Sequence, residues 1–133
     1  MIRLILGGLV LLFSTATRAS DCYYYWSHQC VEIIDASKRQ LQQTLLISPS
    51  VNYFNSGTLE CHAAATQRQE TLMVQLLEAF NATAGNFKAC DTPLDSVSLR
   101  VFSEPGKATW HYNRTRRPGD SKTLVTVDNL PLM

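Results

Sequence analysis

Neither sign of charge is in excess: twelve Lys and Arg stand against eleven Asp and Glu in 133 residues. Nucleic acids and anionic membrane surfaces recruit proteins through bulk positive charge, so near-neutrality argues against both as partners. After residue 19 no apolar run approaches the roughly 20 residues that span a bilayer. G-x-S-x-G, H-E-x-x-H, Walker and G-x-G-x-x-G patterns are missing from the same stretch, and with them the commonest hydrolase, zinc-peptidase and nucleotide-binding chemistries. No spacing calls for a cofactor or a metal. The sequence also has no internal repeat and no low-complexity tract.

The first residues, by contrast, carry a pattern with a clear purpose. Met1-Ile2-Arg3 supplies a positive charge, Leu4 to Phe13 is an unbroken apolar run, and Ser14 to Ser20 is polar and rich in small residues. That is the order of a cleavable secretory signal, and the apolar run is too short to remain as an anchor. Cleavage after Ala19 places Thr17 and Ala19 at the positions that need small side chains. Residues 1–19 are therefore expected to be a signal peptide and 20–133 one mature domain, with ten bases against eleven acids once Arg3 and Arg18 are gone.

Within that domain, residues 31–47 put Ile34, Leu41 and Leu45 at helical spacing, ending at Ser48-Pro49-Ser50. A second helix is expected after a Ser56 or Thr58 cap, with Ala63, Leu72, Met73, Leu76, Leu77 and Phe80 on its apolar stripe and a stop near Gly85. The period then changes to two over 96–101, 108–113 and 122–127, with a Pro105-Gly106 turn between the first pair. The expected fold is α+β: two helices followed by a three-stranded antiparallel β-meander, stabilised by disulfides.

Cys22, Cys30, Cys61 and Cys90 all follow the signal, and an even count in an oxidising compartment favours two disulfides. An unbroken helix beyond Leu59 would hold Cys61 too far from Cys90 to bond, so crossed pairing is expected, with Cys22 and Cys30 each joined to Cys61 or Cys90. Helical geometry from Cys22 onward conflicts with this, since it keeps Cys22 and Cys30 only about 12 Å apart. A metal site drawing on Cys22, His28, Cys30 and Cys61-His62 is the sharper alternative, although the spacing matches no zinc knuckle.

Two aromatic clusters are candidate binding residues. Tyr23, Tyr24, Tyr25 and Trp26 are consecutive, so they cannot all face one core. Trp110 and Tyr112 stand beside Arg114, Arg116 and Arg117, a mixture suited to an interface. Asn81 and Asn113 begin glycosylation sequons. The composition fits a small secreted or periplasmic binding protein of the inhibitor or immunity type, which occludes a protein partner. A small secreted enzyme using Cys and His, and a structural component of a surface or secretion assembly, are the alternatives.

Overall fold

The computed structural model describes residues 20–117, 119 and 122–133, so the expected signal at 1–19 lies outside the described residues. Seven elements follow one another: β1 (Asp21–Asp35), β2 (Gln40–Ile47), β3 (Asn52–Asn55), α1 (Cys61–Phe87), β4 (Ser98–Phe102), α2 (Pro105–Thr115) and β5 (Lys122–Thr126). The strands form one five-stranded sheet. A helix-first layout ending in a three-stranded meander is therefore overturned, because the sheet dominates and begins at Asp21.

The first expected helix fails for a specific reason. Cys22, Trp26 and Cys30 recur every fourth residue, and four is a multiple of the strand period as well as close to one helical turn. Leu41 and Leu45 have the same ambiguity. The β-branched cluster around Val31 and Ile34 and the turn chemistry at Asp35 decide it for a hairpin. Asp35 Oδ1 accepts hydrogen bonds from the Ser37 hydroxyl at 2.7 Å and from the Ser37 and Lys38 backbone N–H groups at 3.0 and 3.3 Å. Arg39 then takes a left-handed φ of 54° to turn the chain into β2.

Sheet order follows from β1, which is longer than any partner. Tyr24 pairs with both Asn52 and Val101, and Ser27 with both Ile47 and Ser98, so β4 holds one edge of β1 while β2 and β3 share the other. β5 lies outside β2 and runs parallel to it. β4 and β5 lie close to the expected strands, but they pair with β1 and β2 rather than with each other. The expected middle strand at 108–113 is instead α2. Pro105 suits a first helical turn, where its missing N–H would be unsatisfied in any case.

Each sheet face carries a helix. Cys22, Tyr24, Trp26, Leu46, Phe54, Val125 and Val127 meet Ala64, Ala65, Leu76, Phe80 and Ala84 of α1 in one core. Tyr25, Leu45, Ile47 and Tyr112 of α2 form the second. Side chains of the size of Phe80 or Leu46, both fully buried, contribute about 2–3 kcal/mol each by leaving water. α1 is capped by Glu60, whose carboxylate accepts from His62 N–H at 2.9 Å, and closes at Lys88 with a left-handed φ of 49°.

The disulfides are Cys22–Cys61 and Cys30–Cys90, with Cα separations of 5.6 and 5.5 Å. Crossed pairing was the expectation, and the strand removes its geometric conflict. Eight residues of strand spread Cys22 and Cys30 over about 26 Å rather than 12 Å, enough to lie along α1 and be pinned near each of its ends. All four sulfurs are consumed, which overturns the metal alternative at Cys22, Cys30 and Cys61. The two bridges place the folded chain in an oxidising, extracytoplasmic environment. Among the described residues no helix is long and apolar enough to cross a membrane.

Between β2 and β3 the edge is interrupted at Ser48-Pro49, and the Ser48 side chain fills the gap. Its hydroxyl accepts from Trp26 N–H at 2.7 Å and donates to Trp26 C=O at 2.9 Å, while the Ser48 carbonyl accepts from Tyr112 O–H at 2.6 Å. Ser48 is fully buried. Replacing it with alanine strands the Trp26 N–H in a dry core, which costs about 2 kcal/mol. A urea-denaturation series on Ser48→Ala should show that loss with an unchanged slope; a loss below about 0.5 kcal/mol would mean the hydroxyl is dispensable.

Candidate binding surface

The two sequence clusters meet different fates. In β1 alternation sends Tyr24 and Trp26 into the α1 core and Tyr25 into the α2 core, and all three are buried. They are structural residues, which corrects their assignment as a binding surface: a strand covered on both faces buries consecutive aromatics without exposing any. Tyr24 packs edge-on against Trp26 and Phe54 at centroid distances of 5.0 and 5.5 Å. Tyr23 alone of the four remains half-exposed.

In the second cluster, α2 divides the residues by its own periodicity. Ala108 and Tyr112 face the sheet, with the Tyr112 ring edge-on to Tyr25 at 5.2 Å. Tyr112 is thus a core residue, a second correction. Arg116 is half-buried with its guanidinium 5.2 Å over the Tyr112 ring, so it covers that core from outside. Trp110, Arg114 and Arg117 point the other way. Trp110 is 60 % exposed, and the Arg114 guanidinium sits 5.1 Å over its ring. Together with Asn113 these three line an open depression of 280 Å³ that contains no acidic side chain.

Stacking fixes the Arg114 side chain beside the indole without consuming its charge. The arrangement presents a flat aromatic face with a cation on it and a second cation, Arg117, at the rim. Such a surface suits a partner that offers carboxylates around an apolar patch. Of the two sequon asparagines, Asn113 is exposed in this depression. The Asn81 side chain is engaged: it accepts from Leu94 N–H at 2.6 Å and donates to Leu94 C=O at 3.2 Å.

Beside this face lies an aromatic band that the sequence did not single out. Tyr23 pairs in register with Tyr53 on one side and Phe102 on the other, placing three aromatic side chains abreast on the α2 face of the sheet. The Phe102 ring is 5.3 Å from His111, which ends the band at α2. Tyr53 is 56 % exposed and donates to Asp21 Oδ1 at 2.9 Å. Only cross-strand register joins residues 23, 53 and 102. Strict alternation at Tyr53-Phe54 was the one available signal, since it sends Phe54 inward and Tyr53 outward.

His111 Nδ1 lies 2.6 Å from the Tyr25 hydroxyl, which is also 3.0 Å from Thr115 Oγ1. The Thr115 hydroxyl donates to the His111 carbonyl at 2.9 Å. Burial raises the Tyr25 phenol, so it is not poised as a phenolate. The His111 imidazole is held below its ordinary value, first by burial and then by the Arg100 and Arg114 charges. No thiol adjoins it, because every cysteine is in a disulfide. The cluster is a hydrogen-bonded clasp between β1 and α2.

Comparison with protein-family models, with curated proteins and with solved structures found no match. The reading of this surface therefore rests on its geometry alone.

A depressed His111 has a measurable sign. Below about pH 6.5 the unfolded chain binds a proton that the folded state resists, so acidification through that value lowers stability. A proton titration of the His111 ring by NMR should give a midpoint below the ordinary histidine value of 6.5, raised by Arg114→Gln. A midpoint at or above 6.5 would contradict the burial and the two arginines as its cause.

Proposed function

We propose that the protein is a small secreted or periplasmic binding protein of the inhibitor or immunity type, and that the outer face of α2 is the surface with which it occludes a protein partner. The carrying observation is Trp110. Of the aromatic residues on the two helices, Phe80 and Tyr112 are buried and Phe87 is exposed near the end of α1, whereas Trp110 is 60 % exposed and has Arg114 stacked on it. Leaving an indole in water forgoes burial energy unless a partner completes it, and Trp with Arg is the pairing most often found at the energetic centre of interfaces. Arg117 adds a second positive charge at the edge of the same depression.

The reading is supported further by the size of the domain and by its disulfides, which hold the sheet against α1 and leave α2 free of cross-links. A partner with an acidic rim follows from the two arginines, and its association should weaken as salt is raised. The alternatives of an enzyme using a cysteine thiol and of an assembly component have no comparable feature on this face.

The test is affinity capture from the extracytoplasmic fraction of the source cells, followed by titration of the captured partner against wild type and Trp110→Ala. Because Trp110 contributes to neither core, the variant should keep its unfolding midpoint. Its affinity should fall by about 2 kcal/mol, roughly 30-fold. Equal affinity of the folded variant would remove this face as the binding surface.

A further inference from the structure

On one edge, β1 extends beyond its partner. β4 pairs with it only from Tyr23 to Ser27, ending at Ser98 opposite Ser27, while β1 continues to Asp35. The direction of the free backbone groups follows from the opposite edge. Trp26 and Ser48 exchange hydrogen bonds across the β2 side, including Ser48 N–H to Trp26 C=O at 2.9 Å. Antiparallel ladders alternate, so even-numbered residues of β1 turn their N–H and C=O towards β2 and odd-numbered ones towards the β4 side. Gln29 and Val31 therefore aim two donors and two acceptors at an edge that no strand pairs among the described residues.

The chain leading into β4 does not cover this edge, because it is tied to α1 instead. The Val97 carbonyl accepts from Gln69 Nε2 at 3.1 Å, and Asn81 binds both backbone groups of Leu94. Between that segment and β1 lies a groove of 370 Å³, with Gln29, Val31 and Glu32 on the strand side and Cys90, Asp91 and Leu94 on the other. The Cys30–Cys90 bridge joins its two walls. Natural sheet edges are usually protected by lysine, proline or a bulge. Gln29 to Val31 has neither lysine nor proline, and the irregularity in this strand comes only at Ile33–Asp35.

We propose that the β1 edge at Gln29–Val31 takes up an extended, basic polypeptide segment from a partner as an additional antiparallel strand in line with β4. The backbone pattern selects the form of the occupant. Donor and acceptor pairs two residues apart, about 6.6 Å along the strand, match another strand and not a helix. Charge selects its side chains, since Glu32 and Asp91 line the groove and no Lys or Arg does. Val31, 55 % exposed, offers an apolar contact on the α2 face of the sheet. This edge is independent of the α2 surface and defines a second contact of different chemistry.

The probe is a fluorescein-labelled synthetic peptide, Thr-Val-Lys-Val-Thr-Lys, alongside the same peptide with alternate backbone amides N-methylated. Anisotropy should show saturable binding of the first and at least tenfold weaker binding of the second to the intact disulfide-bonded protein. Amide exchange of Gln29 and Val31 should slow at least tenfold in the complex. Val31→Pro deletes an outward N–H that the β2 ladder does not use, and it should weaken binding at least tenfold. Glu32→Gln combined with Asp91→Asn should weaken it several-fold. If the proline variant does not fold, the N-methylated peptide gives the same test on the wild type. Absence of saturable binding, or indifference to N-methylation, would overturn the proposal. So would protection of Gln29 and Val31 that rises with protein concentration in the absence of peptide, because a second copy of the chain would then occupy the edge.

Discussion

Trp26 stands where the whole molecule is joined. Its indole lies in the α1 core, the neighbouring Tyr25 ring lies in the α2 core, and its backbone is bonded to the side chain of Ser48 across the interruption between β2 and β3. The Ser48 carbonyl in turn receives the Tyr112 hydroxyl from α2. One buried serine thus links the central strand, the end of β2 and the second helix. Without the hydroxyl the ladder would have an unpaired donor in a dry core, while the backbone carbonyl at the same position anchors α2 through Tyr112. The position of Trp110 therefore follows from events on the opposite side of its own helix.

The disulfides act on the same strand at a larger scale. A two-sided strand must be held between two helices, and α1 is fixed to it by one bridge near each end. Loops of 39 and 60 residues are closed in this way, and each closure removes about 4 kcal/mol of unfolded-chain entropy in the simple model. The α2 side has no covalent tie. It relies on Tyr112, on the clasp of Tyr25, His111 and Thr115, and on Lys122, whose ammonium donates to the Thr115 carbonyl at 2.8 Å. The covalent scaffold and the proposed binding face are thus on opposite sides of the sheet, an arrangement that keeps the exposed helix free of cross-links.

Parts of this were readable in the residues and parts were not, for physical reasons. The crossed disulfides, the long helix through Leu76 and Phe80, and strands near 98–102 and 122–126 follow from local signals such as cysteine parity and period. The hairpin that β1 and β2 form reads as a helix over 31–47 because a spacing of four satisfies both periods, so only the β-branched content and the Asp35 turn tell them apart. α2 was read as a strand because Ala108, Trp110 and Tyr112 alternate, although two of them face inward and one outward. At the surface, Trp110, Arg114 and Arg117 were legible as a cluster since they are neighbours in sequence. Tyr24, Tyr25 and Trp26 were misassigned because sequence does not say that a strand is covered on both faces. Tyr53, Phe102 and His111 come together only through register between distant strands, which no local pattern encodes.

The central claim is that residues 21–35 form one strand, buried between two helices at Tyr24–Trp26 and pinned along α1 by both bridges, and the disulfide map tests it directly. Digestion of the unreduced protein with trypsin and an aromatic-specific protease separates Cys22 from Cys30, and Arg68 separates Cys61 from Cys90. Mass spectrometry should find Cys22 joined to Cys61 and Cys30 joined to Cys90. Cys22 bonded to Cys90, or Cys22 bonded to Cys30, would contradict a strand laid along α1 in this direction.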